Sequence, residues 1–146
     1  MKVSDILRER RRHLVSLPPS ATAMEAATLM SAEHVGAVLV RDDRGRLLGV
    51  LSESNLALAI AAYGARLFRI RIGELMAVAR PTAVLDDAIR DVMRVMTERR
   101  ARHIPVLDGE TVVGIVSVGD LLKARLTEKI QENAVLQDLA RVTMRC

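Results

Sequence analysis

The chain is one unit written twice, and that repetition limits its architecture more than any single motif in it. Thr22-Ala23-Met24-Glu25-Ala26-Ala27-Thr28-Leu29-Met30 lies over Ala88-Ile89-Arg90-Asp91-Val92-Met93-Arg94-Val95-Met96 at an offset of 66 residues, so that Glu25 meets Asp91 and Met30 meets Met96. The same offset sets Val38-Leu39-Val40 on Ile104-Pro105-Val106. One residue fewer in the second turn shortens it to 65, which sets Gly49-Val50-Leu51-Ser52 on Gly114-Ile115-Val116-Ser117 and Asn55 on Asp120. Upstream, Val3-Ser4-Asp5-Ile6-Leu7 matches Ile72-Gly73-Glu74-Leu75-Met76. In 146 residues this gives two small halves sharing a core: residues 1–65, residues 66–128, and a C-terminal helical extension over 129–146.

Periodicity supplies the elements of each unit. Residues 14–17 form a short apolar strand stopped by Pro18-Pro19, and Thr82-Ala83-Val84 is its counterpart. Residues 20–33 and 86–100 carry apolar side chains at helical spacing, with Ser20 and Asp86 or Asp87 as N-caps. Residues 35–40 and 47–51 are apolar and partly β-branched, and the polar turn between them reads as a hairpin; residues 104–107 and 112–116 repeat it around Asp108-Gly109. A second helix follows each hairpin, over 53–62 and 118–130. The fold class is therefore α/β: two pseudo-twofold-related β-α-β-β-α units with their sheets packed together, each preceded by a short helix at 3–10 or 72–76. Beyond Lys129, the helical pattern of Ile130, Val135, Leu136 and Leu139 reads as a dimer contact.

Composition removes several functional classes. Lys and Arg number 22 against 18 Asp and Glu, a net charge of +4, which permits an anionic partner without demanding one. Tyr63 and Phe68 are the only aromatics, so single-stranded nucleic acid bound by base stacking is nearly excluded. The basic runs at 8–12 and 94–102 are interrupted by Glu9 and Glu98 and read as solvated faces rather than a nucleic-acid patch. The single cysteine, Cys146, allows no internal disulfide and suits a reducing cytoplasm, the expected location. No signal-peptide core opens the chain, and its most apolar long charge-free stretch, 54–65, is far short of the ~20 residues of a membrane span.

Catalytic chemistry finds little support. His13, His34 and His103 are far apart and not spaced as metal ligands on one helix face, no glycine-rich phosphate loop is present, and Ser52 and Ser117 have no base beside them in sequence. The expectation is a protein that is not an enzyme and needs no metal. Met24, Met30, Met93 and Met96 recur on a helical face as core filler. The informative feature is the strand-to-helix junction, Gly114-Ile115-Val116-Ser117-Val118-Gly119-Asp120. It has two readings. Ser117 and Asp120 can simply cap the helix. Alternatively, in an open cleft, the helix N-terminus and the serine hydroxyl meet a phosphate while the carboxylate accepts from both hydroxyls of a ribose.

Gly-hydrophobic-hydrophobic-Ser-x-x-Asp at 114–120, its weaker copy Gly49 to Asn55, Val35-Gly36-Ala37-Val38-Leu39-Val40 and Arg102-His103-Ile104-Pro105-Val106 occur together, in order and duplicated. In these features the repeat resembles the CBS domain, named after cystathionine β-synthase, and the tandem resembles a Bateman module of the small stand-alone bacterial kind. The resemblance covers residues 3–126. It implies regulatory binding of an adenosyl ligand between the repeats: AMP, ADP or ATP first, with NAD(H) or S-adenosylmethionine as further candidates. Carried over, Asp120 would hold the ribose hydroxyls and Ser117 the first phosphate. Val35, Gly36 and Ala37 would face the adenine with Ser16 at its edge, while Arg102 and His103 would neutralise phosphates. Arg102 as a solvated charge and His103 as a satisfied half-buried residue remain the alternatives. A second site would use Ser52 and Asn55 with Thr82, Ile104 and Pro105 across the cleft. Asn55 stands there in place of the family's aspartate and Ser54 in place of a frequent basic residue, so this site is read as weakened or empty. Arg66, Arg69 and Arg71 of the linker would bound the phosphate end. The expected partners are the small molecule, a second copy of the chain and an unidentified protein target, with neither nucleic acid nor membrane. Rival readings are a structural module that binds no ligand and a basic nucleic-acid binder.

Overall fold

The computed structural model describes residues 1–8, 14–78 and 81–144; His13, Cys146 and residues 9–12 of the first basic run lie outside them. The elements follow in the order α1 (Val3–Arg8), β1 (Ser16–Leu17), α2 (Ala23–Glu33), β2 (Ala37–Arg41), β3 (Leu47–Ser52), α3 (Glu53–Tyr63), β4 (Ala83–Val84), α4 (Ile89–Arg99), β5 (His103–Asp108), β6 (Thr111–Ser117) and α5 (Val118–Met144). Two short 3-10 turns, Gly64–Arg69 and Ile72–Glu74, lie between α3 and β4. The expected α/β repeat is thus present twice. Each copy makes a three-stranded sheet, β1-β2-β3 and β4-β5-β6, with a parallel first pair and an antiparallel second pair. Even the irregularities repeat: the register shifts between Val40 and Arg41, and again between Val106 and Leu107.

The apolar strand runs are explained by burial on both faces. Along β2, Val38 and Val40 point into a cluster with Ala26, Met30 and Leu51, under the first repeat's helices. Ala37 and Leu39 point the other way and meet Val50 and Val112, packed with Leu107 and Ile115 of the other sheet. This sheet-to-sheet layer joins the halves. On β5, Ile104 and Val106 belong to the helix-facing cluster of the second repeat.

The halves also exchange their opening segments. Val3 and Ile6 of α1 pack with Ile89, Val92 and Leu121 of the second repeat, and Val3 N–H donates to the Asp87 carbonyl at 2.9 Å. Reciprocally, Ile72 sits in the first repeat's cluster and its N–H donates to the Ala21 carbonyl at 2.8 Å. The N-terminal ammonium contacts Glu128 at 3.0 Å and Arg125 contacts it at 2.8 Å. The ammonium's hydrogen bond, with help from Arg125, holds the Glu128 carboxyl below its usual range.

Helix termini differ from the sequence expectations. Thr22 rather than Ser20 caps α2, because its hydroxyl accepts from Glu25 N–H at 3.2 Å while the Glu25 carboxylate accepts from Thr22 N–H at 3.1 Å. Ala88 precedes α4 without a side-chain cap; Asp87 instead closes the preceding turn on Val84 N–H at 2.9 Å, and Asp86 contacts Lys2. The final helix does not pause at residue 130 but continues as one 27-residue helix. Among the methionines, Met30 and Met96 are buried, whereas Met24 is 48% exposed. Among the described residues, no helix is long and apolar enough to cross a membrane.

Gly49 and Gly114, equivalent in the two repeats, sit at close approaches of unequal hardness. A Cβ at Gly49 would stand 2.8 Å from the backbone carbonyl oxygen of Ala77 and 2.8 Å from Met76 Sδ. Ala77 is fixed there by its paired hydrogen bonds with Val50. At Gly114 the obstacle is the Leu7 side chain, at 2.9 Å, which can change rotamer. Gly49→Ala should therefore cost about 1–3 kcal/mol and Gly114→Ala clearly less. Urea unfolding of both variants checks this, and equal losses would mean that the backbone at Ala77 yields as easily as a side chain.

Candidate functional site

The two strand-to-helix junctions fold alike. At the end of β3, Ser52 N–H donates to Asn55 Oδ1 at 2.9 Å and Asn55 N–H donates back to Ser52 Oγ at 3.3 Å. At the end of β6, Ser117 N–H donates to Asp120 Oδ2 at 2.9 Å and Asp120 N–H donates to Ser117 Oγ at 3.2 Å. Each pair is a reciprocal cap of the following helix. The first helical N–H groups are also used: Glu53 donates to the Gly36 carbonyl at 3.0 Å and Val118 to the Arg102 carbonyl at 2.9 Å. In each first turn, Ser54 and Gly119 retain N–H groups with no partner among the described residues. Both junctions open into cavities, so the first turn of each following helix borders open space rather than packed core.

The first cleft, about 340 Å³, lies across the two repeats. Val35, Gly36 and Ala37 come from the start of β2, and Ser117 and Asp120 from the far junction, with His103 at the start of β5 between them. Six of the eight residues assigned to the stronger site are thus brought together. The other two are elsewhere. Ser16 does not line this cleft; its Oγ accepts from Arg41 Nη2 at 2.9 Å, because the arginine folds back over β1. Arg102 lines the second cleft, together with Arg99, Arg100 and His103 of the same turn into β5.

The second cleft, about 350 Å³, is the pseudo-symmetric partner. It contains Ser52 and Asn55 and, across from them, Arg102 and His103. Thr82 faces a separate depression with Gly49, Val78 and Leu107. Ile104 is 1% exposed and points into the second repeat's core, and Pro105 is buried, so neither lines this cleft. Arg66, Arg69 and Arg71 line neither cleft, and Arg71 Nη1 donates to the Ser20 carbonyl at 3.1 Å.

His103 and Gly36 belong to both clefts. A Cβ on Gly36 would lie 3.2 Å from His103 Nε2, so the absent side chain is what lets the imidazole lie against the first repeat. Sequence reasoning missed His34 in the first cleft and Glu53, Arg99 and Arg100 in the second. The repeat offset held the signal. His34 and Arg100 are equivalent C-caps of α2 and α4, both left-handed with φ of 55° and 52°, and each aims the following residues at a cleft. Among the described residues, no group of three or more acidic, histidine or cysteine side chains is gathered to hold a metal ion.

Comparisons with known proteins agree with this fold. The family model described as CBS domain matches residues 3–62 and 72–127. The chain is 29% identical over 122 residues to the CBS domain-containing protein YhcV of Bacillus subtilis, covering 84% of this chain and 86% of that one. It superposes on the CBS-domain containing protein ATU1752 from Agrobacterium tumefaciens with a TM-score of 0.83 and 33% identity, over 86% of this chain and 99% of that one. It superposes on the CBS domain protein PAE2072 from Pyrobaculum aerophilum, which is complexed with AMP, with a TM-score of 0.72 and 25% identity, over 82% and 89% of the chains.

Proposed function

The chain belongs to the CBS domain family as a tandem pair, and from that premise we propose that it is a regulatory module binding an adenosyl ligand in the cleft of Ser117 and Asp120. The observation that carries this reading is the opposition, across one cavity, of the β2 start of one repeat to the capped helix N-terminus of the other. A volume of about 340 Å³ falls at the lower end of small-ligand sites and has room for a nucleoside. In this reading the Asp120 carboxylate accepts from the ribose hydroxyls and Ser117 with Gly119 N–H meets the first phosphate. The backbone of residues 35–37 faces the base. The AMP complex of PAE2072 supports the ligand class, with AMP first, then ATP, and NAD(H) or S-adenosylmethionine as further members. The protein needs no catalytic group for this task.

Because the cleft walls come from different repeats, a bound ligand favours whichever arrangement of the two halves closes on it, and shifts the module by its differential affinity for the two states. We place the output in a homodimer packed through the helices. Leu58 and Ile60 of α3 and Leu122, Leu126 and Ile130 of α5 are all more than half exposed. A cytoplasmic location and an unidentified protein target complete the proposal.

Thermal unfolding against AMP, ATP, NADH, S-adenosylmethionine and GMP tests the ligand class, and sedimentation equilibrium tests the dimer. An adenosyl compound at about 100 times its dissociation constant should add roughly 2.7 kcal/mol of stability, with no comparable effect of GMP. Equal shifts for AMP and GMP, or none with any compound, would overturn the adenosyl reading, and a sedimenting monomer would overturn the dimer.

A further inference from the structure

The two repeats finish their second helices differently, and the difference leaves a groove. After α3 the chain turns at Gly64, left-handed with φ of 58°, and lays Leu67 back against Ala23 and Ala59, where it is buried. In the second repeat no glycine follows Gly119, and α5 runs straight on to Met144, past the end of the family match at residue 127. The surroundings are otherwise equivalent: Ala23 N–H donates to the Ile70 carbonyl at 2.9 Å, and Ile89 N–H to the Met1 carbonyl at 3.2 Å. The space that Leu67 fills in one repeat is therefore an open groove of about 770 Å³ in the other. It lies between Met1, Ile89 and Arg90 on one side and Glu128, Glu132 and Val135 of α5 on the other.

The α5 face above this groove continues one pattern. Leu121, Arg125, Glu128, Glu132, Val135, Leu139 and Val142 recur at alternating steps of four and three, the spacing of a helix-pairing stripe. Its first members serve the body of the protein: Leu121 lies in the second repeat's core, and Glu128 accepts from the N-terminal ammonium and from Arg125. Val135, Leu139 and Val142, at its end, are 58–63% exposed. Leu122, Leu126 and Ile130 lie on the far side of the helix, so the homodimer contact proposed above leaves this end uncovered.

Charge decides what covers it. Glu132 interrupts the stripe, and two extensions paired in parallel would set this carboxylate against its own copy. Paired antiparallel, with Val135 of one against the partner's Leu139, Glu132 comes beside the partner's Arg141, and the two-fold axis makes that pair twice. Neither group is strongly held within its own chain: Lys129 contacts Glu132 at 3.6 Å and Arg141 contacts Asp138 at 4.0 Å, with all four side chains more than half exposed. One patch thus carries both the groove and the apolar helix end that can enter it, as a two-fold contact requires.

We infer that residues 132–142 form a second self-contact, an antiparallel pairing of two α5 extensions in which the end of each lies in the groove of the other. This goes beyond the homodimer proposed above and is separable from it, because the two contacts use opposite sides of α5.

Single-cysteine chains in a Cys146→Ser background, mixed in pairs and oxidised with copper phenanthroline, test it. A mixture of Val135→Cys and Leu139→Cys should give the 135–139 disulfide on the order of tenfold above the 135–135 and 139–139 species, because only facing positions come within bonding reach. Met24→Cys, exposed on α2, sets the collision background with either chain. Arg141→Glu should slow the 135–139 cross-link roughly threefold to tenfold, and adding Glu132→Arg should restore it. The cross-link should persist in Leu122→Glu/Leu126→Glu, which removes the outer contact. A 135–139 yield no higher than the Met24→Cys background, an excess of 135–135 or 139–139, or loss in Leu122→Glu/Leu126→Glu overturns the inference. Association that depends on Leu122 and Leu126 without a 135–139 cross-link overturns this inference alone. Cross-linking with sedimentation indifferent to Leu122 and Leu126 overturns the outer contact and leaves this one standing.

Discussion

Asp120→Asn is expected to weaken binding of the adenosyl ligand by roughly tenfold to a hundredfold while leaving stability almost unchanged. The protein contains its own control. Asn55 occupies the equivalent position in the first repeat and makes both capping hydrogen bonds, at 2.9 and 3.3 Å. The exchange therefore preserves the local structure. What it removes is charge: two ribose hydroxyls that would donate to a carboxylate would meet one neutral carbonyl and an NH₂ group. A charge-assisted hydrogen bond exceeds a neutral one by about 1 kcal/mol, so two of them account for a loss of that size. Asp120→Ala should lose the ligand as well and also about 0.5–2 kcal/mol of stability, because Ser117 N–H loses its acceptor. Titration calorimetry and urea unfolding of both variants separate the two effects. Unaltered affinity in Asp120→Asn would remove the carboxylate from the ligand's contacts.

The largest loss of stability is expected at Leu39. This side chain is fully buried and belongs to the layer where the sheets of the two repeats meet, with Val50 and Val112. Truncating a leucine in such a place removes its transfer free energy and leaves a cavity between two sheets that cannot easily collapse onto each other. Leu39→Ala should cost about 2–5 kcal/mol, and for a chain of this size each kcal/mol lowers Tm by about 2–4 °C. Leu58→Ala, at a site 73% exposed, should change stability by no more than about 0.5 kcal/mol in the monomeric unit. A Leu39→Ala loss no larger than that of Leu58→Ala would show that the halves are not joined through this layer.

The repeat made most of the fold legible. An offset of 66 or 65 residues transfers each element from one half to the other, and strands, hairpins and second helices fall where the apolar periods set them. Alternation failed to place individual side chains wherever both strand faces are buried. Ile104 is as apolar as its neighbours, and nothing in the sequence distinguishes a core-facing from a cleft-facing residue there. Ser16 at the start of β1 and Thr82 just before β4 hold equivalent positions, yet Arg41 takes one and a different depression takes the other; both depend on long-range packing. The caps of α2 and α4 were misread because Ser20, Asp86 and Asp87 all suit a cap, and the position of the first helical turn decides among them. Arg102 followed the family's motif to one cleft and lies in the other, a displacement that only the pseudo-symmetric equivalence of Gly36 and Arg102 reveals.

The central claim is that a single adenosyl ligand bridges the two repeats at Asp120. Backbone amide NMR of the labelled full chain, titrated with AMP, tests it residue by residue. The predicted result is a coherent set of shifts at Gly36, Ala37, Ser117, Gly119 and Asp120, saturating with one affinity, because these groups from both repeats line the same cavity or its capped helix. Shifts confined to one repeat, or absent from Ser117 and Asp120 while appearing elsewhere, would contradict it.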